Sequence, residues 1–497
     1  MATKTFEQFI TSKFFGDGIT FDDVLIMPAY ATLIPKQIDI TSKLTQQLQL
    51  QIPFLSAAMD TVTEAKLAVA IAREGGLGFI HKNMSIAQQA EQIRKVKRSD
   101  SGLIIDPITL LEDATIGEAL QLMADNKIGG IPIINKQHKL VGILTNRDLR
   151  FVHAPHKKVS EIMTKENIIT APEGTDLKRA ETLLSKHKIE KLPVVNKQGK
   201  LIGLITYKDI IKLTSHPNAG KDGFGRLQVG AALGISADLV ARAEAVIAVG
   251  VDVVGLDSAH GHSKGVIDAL KILRKQFPKL QIVAGNVATA EGAKALAAAG
   301  ANAVKVGIGP GSICTTRIVA GAGVPQLTAI MGAAYALKGT NIPVIADGGI
   351  RFTGDVVKAI AAGADCVMMG SVFAGTDESP GETVLYEGRK FKTYRGMGSL
   401  GAMNQGSSDR YFQDGNQEAK KYVPEGIEGR VAFKGNVQEV LYQYTGGLRS
   451  GMGYAGVNNI NELKTKATFV KISNAGINES HAHDIDITKE APNYSRK

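Results

Sequence analysis

Tryptophan is absent from this 497-residue chain, and cysteine occurs only twice, at Cys314 and Cys366. Two cysteines without CxxC spacing exclude a disulfide scaffold and a thiolate zinc site, and they point to a reducing compartment, the cytosol. No apolar stretch approaches the ~20 residues that span a bilayer, and the N-terminus Met-Ala-Thr-Lys-Thr-Phe-Glu lacks a long apolar run, so no membrane span or secretory leader is expected. Aromatic residues make up only 5% of the chain and no dense basic block appears, so the net charge of +10 speaks for small anions rather than for nucleic acid. What is plentiful is length and glycine. At 44% hydrophobic, the chain can bury one large domain and at least one smaller one.

The glycines concentrate around one of the cysteines, in Gly307-Ile-Gly-Pro-Gly-Ser-Ile-Cys-Thr-Thr-Arg317, directly after the strand-like run Ala303–Val306. Glycines there let the backbone aim several N–H groups at one spot, which suits an anion such as a thiolate. Free cysteines are usually small core residues, but a core cysteine gains nothing from Ser312, Thr315 and Thr316 beside it. Cys314 therefore reads as a nucleophile, whereas Cys366, inside a continuous apolar run, reads as core.

Two segments match without gaps at an offset of 61 residues. Lys127-Ile-Gly-Gly-Ile-Pro-Ile-Ile-Asn-Lys-Gln-His-Lys-Leu-Val-Gly-Ile-Leu-Thr-Asn-Arg-Asp148 aligns with Lys188-Ile-Glu-Lys-Leu-Pro-Val-Val-Asn-Lys-Gln-Gly-Lys-Leu-Ile-Gly-Leu-Ile-Thr-Tyr-Lys-Asp209. Each reads helix, strand, polar turn, strand, then a Thr-x-x-Asp that can cap the next helix. One such unit cannot bury its sheet alone, so the copies are expected to pack together. They resemble a tandem CBS pair, with modules at 103–155 and 159–213. The resemblance implies a regulatory site at which Thr145, Asp148, Thr206 and Asp209 contact adenine or guanine nucleotides. Capping alone explains any one of these residues equally well, and the two roles are compatible.

Elsewhere, short apolar runs at 53–57, 76–80, 227–231, 252–256, 281–285, 303–306, 342–346 and 365–369 alternate with alanine-rich helical patterns such as 237–249, 290–299 and 354–362, ending at Gly250, Gly300 and Gly363. Eight strands so separated predict an α/β fold, a (β/α)8 TIM barrel, with the repeat pair inserted after the second βα unit. The barrel is expected over 1–100 and 217–497. A doubly wound sheet is the alternative, though no GxGxxG opens the first helix.

Barrel enzymes carry their chemistry at the C-terminal strand ends. Here these are Ser56 to Asp60, Asp257-Ser-Ala-His260, Asn286, the Cys314 loop, Asp347-Gly-Gly-Ile-Arg351 and Gly370-Ser371. The turns after strands seven and eight suit a phosphate, and Asp347 suits a ribose diol. Ser408-Asp-Arg-Tyr411 lies in a long polar, glycine-rich stretch, the composition of a mobile flap at about 400–424.

Phe21-Asp-Asp-Val-Leu25, Ser56-Ala-Ala-Met-Asp-Thr-Val-Thr-Glu64, the cysteine loop, Ala346-Asp-Gly-Gly-Ile-Arg351, Tyr394-Arg-Gly-Met-Gly-Ser399 and the inserted pair together resemble the inosine 5′-monophosphate dehydrogenase and guanosine 5′-monophosphate reductase family over nearly the whole chain. On the dehydrogenase side, the resemblance implies that Cys314 attacks carbon 2 of the purine, hydride passes to NAD, and the thioimidate is hydrolysed to xanthosine 5′-monophosphate. It implies Ser312, Asp347, Gly348, Gly349, Gly370, Ser371, Tyr394, Arg395, Gly396, Met397, Gly398 and Glu425 as the nucleotide contacts, and Asp257, Gly307, Ile308 and Gly309 as the NAD contacts. Arg410, with Tyr411 and assisted by Thr316, is implied as the base acting on water. Chemistry alone makes arginine a poor base and suggests a phosphate clamp.

The resemblance further implies potassium, held by carbonyls of Gly309, Gly311 and Cys314 and by Glu479, Ser480 and His481 of a neighbouring subunit, hence a homotetramer that nucleotide can pair into an octamer. Read without it, Glu479-Ser-His-Ala-His483 could hold a divalent metal if His481 and His483 shared a strand face, but nothing completes a tetrahedral set. His260 and His262 read as solvated loop residues. The competing readings are a reductase, which needs no water-activating flap, and a nucleotide sensor on a retired barrel. Arg410-Tyr411 favours the dehydrogenase, and the insertion more weakly so.

Overall fold

The computed structural model describes residues 11–99, 104–105, 107–152, 154–207, 210, 216–413 and 421–494, which fall into two compact units. One unit runs to Val96 and resumes at Asn218–Gly220 and from Gln228 onward; the other comprises Lys97–Pro217 and Lys221–Leu227.

In the first unit, strands β1 (Phe54–Ser56), β2 (Leu77–Ile80), β3 (Gly230–Leu233), β4 (Val253–Asp257), β5 (Ile282–Val287), β6 (Ala303–Val306), β7 (Val344–Asp347) and β8 (Cys366–Met369) close in that order into a parallel barrel. Helices α1 (Ala65–Arg73), α2 (Ile86–Ser99), α3 (Leu239–Ala248), α4 (Lys264–Gln276), α5 (Ala290–Ala298), α6 (Gln326–Ala336) and α7 (Thr353–Ala361) each follow a strand. Strands enclosed this way are buried on both faces, which is why they read as continuous apolar runs rather than alternating ones.

Two strand starts differ from the sequence reading by more than one residue. The third was expected at 227–231, but Val229 donates its N–H to the Asp252 carboxylate (2.8 Å), which keeps the chain in a loop until Gly230. The seventh was expected from 342, but Pro343 has no N–H to give and Val344 bonds Asp365 Oδ2 (2.9 Å), so pairing begins there.

The end of the barrel at the strand starts is plugged. A hairpin of Ser42–Lys43 and Gln49–Leu50 puts Leu44 and Leu50 among Phe79, Val253, Val283, Ala303, Ile345 and Cys366, all buried. Cys366 is thus core, its thiol pushed up by burial. At the other end, β8 is followed not by its helix but by an excursion. It contains an antiparallel sheet of Thr383–Tyr386, Arg389–Arg395 and Glu428–Ala432, and the helical turns Leu400–Ala402, Met403–Ser407 and Ser408–Tyr411. Helix α8 (Val437–Tyr454) then packs on α7 and α1 and completes the outer ring.

The second unit repeats one design. Helices Ile116–Asn126 and Leu177–His187 both end in a left-handed lysine, Lys127 and Lys188, each at φ 53°. Strand pairs follow, Gly130–Ile134 with Leu140–Thr145 and Lys191–Val195 with Leu201–Thr206, each with a register shift before an asparagine turn. At those turns Asn135 and Asn196 accept backbone N–H bonds through their side chains. The copies remain separate sheets that meet where Leu140 donates to the Gly199 carbonyl (3.2 Å) and Leu201 to the His138 carbonyl (3.1 Å).

Candidate active site

The open end of the barrel holds a cavity of about 400 Å³. Cys314 lies in its wall, half-buried, with Sγ 3.2 Å from Thr316 Oγ1. The loop that carries it is fixed at several points. Gly307, at φ 148°, admits no side chain, since a Cβ would sit 2.2 Å from the Asp347 carbonyl oxygen. Arg317 donates to the carbonyls of Ile308 (3.1 Å) and Val324 (2.6 Å) across the loop, its pKa lowered by burial and opposed by nearby Cys314. Thr315 N donates to the Glu425 carbonyl (2.9 Å) and Ile427 N to the Ile313 carbonyl (3.0 Å), stitching the cysteine loop to the base of the excursion.

Beneath the cysteine, four consecutive strands contribute one polar cluster. The buried Lys305 ammonium, on β6, donates to Asp257 Oδ1 on β4 (2.9 Å), to Asp347 Oδ2 on β7 (2.7 Å) and to Asn286 Oδ1 on β5. Asn286 in turn donates to Asp347 Oδ2 (2.9 Å) and to the Gly307 carbonyl (2.8 Å). A lysine ammonium has three donors, and here each has an acceptor. Sequence reading missed Lys305, although a single charge inside the run Ala303–Val306 was its signal.

Above the cavity lies the segment 400–413, expected to be a flap and docked here. Arg410 Nη1 pairs with Asp257 Oδ2, and the Arg410 carbonyl accepts from Ala259 N (3.0 Å). Tyr411 lies half-buried over Gly398, where a Cβ would lie 2.8 Å from Tyr411 Cζ; desolvation raises its phenol pKa while neighbouring Arg410 acts against that. Lys82, just past β2, donates to Asp409 Oδ1 (2.5 Å) and to the Gly406 carbonyl (2.9 Å). Asn83 bridges Asp60 Oδ2 (2.9 Å) and the Ala402 carbonyl (3.2 Å). These anchors were also not legible in the sequence.

Of the residues expected to contact nucleotides, Ser312, Asp347, Gly348, Gly349, Gly370, Ser371, Tyr394, Gly396, Met397 and Glu425 line the cavity, as do Asp257, Gly307, Ile308, Gly309, Gly311, Cys314, Thr316, Arg410 and Tyr411. Tyr394 is buried, which pushes its phenol up against a hydrogen bond with Ser312. Arg395 and Gly398 are not in the wall: Arg395 pairs with Asp60 (Nη2 to Oδ2, 2.7 Å), and Gly398 lies beneath Tyr411.

Glu479, Ser480 and His481 also lie outside the wall. His481 and His483 do not share a strand face, because helix Asn474–Ser480 ends there, and His481 turns instead to the Tyr494 hydroxyl (3.1 Å). Among the described residues no three His, Cys, Asp or Glu cluster as a metal site, and His260 and His262 pack edge to face, burial lowering the His260 pKa. In the second unit, Asp148 Oδ2 accepts from both Thr145 N and Thr145 Oγ1 (each 2.7 Å), so this pair caps its helix; Thr206 ends a strand, and Asp209 lies outside the described residues.

Residues 18–483 match the model of the IMP dehydrogenase / GMP reductase domain. The inosine-5′-monophosphate dehydrogenase of Aquifex aeolicus is 59% identical over 96% of this chain and 98% of its own, and that of Chlorobaculum tepidum 59% identical over 97% and 99%. Among solved structures, a GMP reductase from Trypanosoma brucei in complex with guanosine 5′-monophosphate superposes with a TM-score of 0.87 at 39% identity, covering 96% of this chain and 100% of that one. A reductase matched over 96% of the chain overturns one expectation: the insertion does not favour the dehydrogenase. No helix among the described residues is long and apolar enough to cross a membrane.

Proposed function

The chain belongs to the IMP dehydrogenase / GMP reductase family, and we propose that it oxidises inosine 5′-monophosphate to xanthosine 5′-monophosphate with NAD, the oxidation step of guanine nucleotide synthesis. The observation that carries this reading over a reductase is Arg410-Tyr411 closed on the cavity that holds Cys314. A deaminating reductase has no step that needs such a lid.

In this reading, Cys314 Sγ adds to C2 of the purine, and loss of hydride from the tetrahedral C2 restores the C=N bond as a thioimidate. NAD, when bound, accepts that hydride. Water then adds to C2 and gives its proton to Arg410, which serves in this step as the neutral guanidine, after which Sγ departs with the electron pair and the xanthine remains. The backbone at Gly307 and Gly309, where neither residue carries a side chain, and the Asp257 carboxylate fit a dinucleotide ribose. Asp257 Oδ2 is also the atom on which Arg410 closes. Flap and dinucleotide therefore take turns at one carboxylate, which keeps water out during hydride transfer and admits it afterward. Asp347 receives the substrate ribose, and the turns at Gly348, Gly349, Gly370 and Ser371 its phosphate.

Neutral carbonyls of Gly309, Gly311 and Cys314 suit a large monovalent cation such as potassium, with Glu479, Ser480 and His481 supplied by a neighbour in a homotetramer. The inserted unit acts as a CBS pair binding regulatory nucleotides, and the protein works in the cytoplasm.

Mixing the protein with inosine 5′-monophosphate, NAD and potassium and following absorbance at the NADH band tests the reading. NADH formation is expected; NADPH consumption with guanosine 5′-monophosphate in its place would make the protein a reductase. Silence in both assays, with Cys314 titrating as a free thiol, would leave the nucleotide-sensor reading.

A further inference from the structure

We infer that Lys305 is a positioning residue that sets both ligand-binding carboxylates at once, so that one buried ammonium governs affinity for substrate and dinucleotide together. This rests on the proposed roles of Asp257 and Asp347. Lys305 takes Oδ1 of Asp257 and Oδ2 of Asp347, one oxygen from each carboxylate. The remaining oxygen of Asp257 is the one that meets Arg410, and Asn286 shares the same Asp347 oxygen that Lys305 uses, which leaves Asp347 Oδ1 for a ligand. Each carboxylate is thereby locked in rotation with its second oxygen offered to the cavity that both residues line.

The charges support the same conclusion. With Arg410 docked, two cations face two carboxylates; with Arg410 withdrawn, Lys305 alone stands between two anions. In a buried site, carboxylates without that cation would repel each other, rotate apart or take up a proton, and either change removes a diol acceptor. A lysine placed only to fill the barrel has no reason to sit where it meets three acceptors from three other strands. An apolar residue would fill that space without the cost of burying a charge.

The test uses the full-length protein with Lys305→Met and the milder Lys305→Gln, beside Asp257→Asn and Asp347→Asn. In Lys305→Met, KM for inosine 5′-monophosphate and KM for NAD are each expected to rise about 10- to 100-fold, the usual effect of losing a charged hydrogen bond, while kcat falls far less. Lys305→Gln is expected to show a smaller rise in both and is read alone should Lys305→Met fail to fold. A purely structural defect would not track the ribose, so the decisive measurement repeats the assay with the 2′,3′-dideoxy substrate. There the wild type and both Lys305 variants should share one high substrate KM. A rise in only one KM, or a fall confined to kcat, overturns the inference while leaving the functional reading intact. If Asp257→Asn leaves the NAD KM unchanged and Asp347→Asn leaves the substrate KM unchanged, the assigned carboxylate roles fail, and the inference with them.

Discussion

In the barrel unit, the groups that meet at Lys305 Nζ come from positions 257, 286 and 347, on three different strands. In the inserted unit, Thr145 and Asp148 meet within a single turn, three residues apart. Both are polar constellations on α/β scaffolds, yet one depends on the closure of the whole barrel and the other on one helix start. A cluster built across strands cannot form until distant segments pair, so its members have no local partner and remain available to a ligand. A cluster built within one turn forms without the rest of the fold, and the Thr145 hydroxyl is already in use on Asp148 Oδ2 before any ligand arrives.

The largest expected effect falls on the barrel side. Cys314→Ala is expected to lower turnover by roughly 10³-fold or more and to abolish the first burst of NADH, because in the proposed reaction Cys314 supplies the nucleophile. Cys366→Ala, in the plugged end, should keep near-normal turnover, since its thiol is fully buried and raised in pKa. Alkylation by iodoacetamide followed by peptide mapping should modify Cys314 alone. Equal loss of activity in both variants would show that the two ends of the barrel are not functionally separate.

Arg410→Ala comes next. It should slow steady-state turnover about 10²-fold, a typical contribution of a proton-transfer group, while leaving the pre-steady-state NADH burst nearly intact. If the burst slowed in proportion, Arg410 would be a binding residue for the first step and not the group that handles water.

A smaller effect is expected from the latch. Lys82 holds the flap through Asp409 and the Gly406 carbonyl, so Lys82→Met should reduce turnover about 10-fold, the cost of one charged hydrogen bond, again with the burst preserved. It should also lower the apparent KM for NAD, because a weaker flap competes less for Asp257. A raised KM for NAD would mean that flap and dinucleotide do not alternate there.

Residues with local sequence signals are legible in the chain, and those whose partners are distant are not. Eight apolar runs, helix stops at Gly250, Gly300 and Gly363, and the 61-residue repeat are local patterns, and the closed eight-stranded barrel follows from them. Cys314, Asp347 and Arg410 announced themselves through glycine-rich or polar surroundings. Lys305 did not, because it sits inside an apolar run and its partners are 48, 19 and 42 residues away. Lys82 did not either, since what it holds lies more than 300 positions on, and Asp60 stood at a strand end without showing its partner Arg395, 335 positions on. The third and seventh strand starts moved furthest, where Asp252 and Asp365 captured an N–H, a competition that apolar patterning does not encode.

The smallest effect belongs to the inserted unit and tests the comparison from its other side. In Thr145→Ala, Asp148 loses the hydroxyl donor but keeps the Thr145 backbone N–H, since both bonds end on one carboxylate oxygen. The loss should cost about 1 kcal/mol of stability, as for other helix caps, with turnover unchanged within about twofold. Because the two residues form one box, Asp148→Ala should cost a similar amount, and the double variant less than the sum. Melting curves of the full chain with and without ATP or GTP then separate capping from binding. If capping is the whole role, the variant melts lower but gains as much from nucleotide as the wild type does. If the Thr145 hydroxyl also meets a nucleotide, the ligand-induced rise in Tm shrinks by more than the cap alone explains, and the inserted pair, like the barrel cluster, keeps bonding capacity in reserve for a ligand.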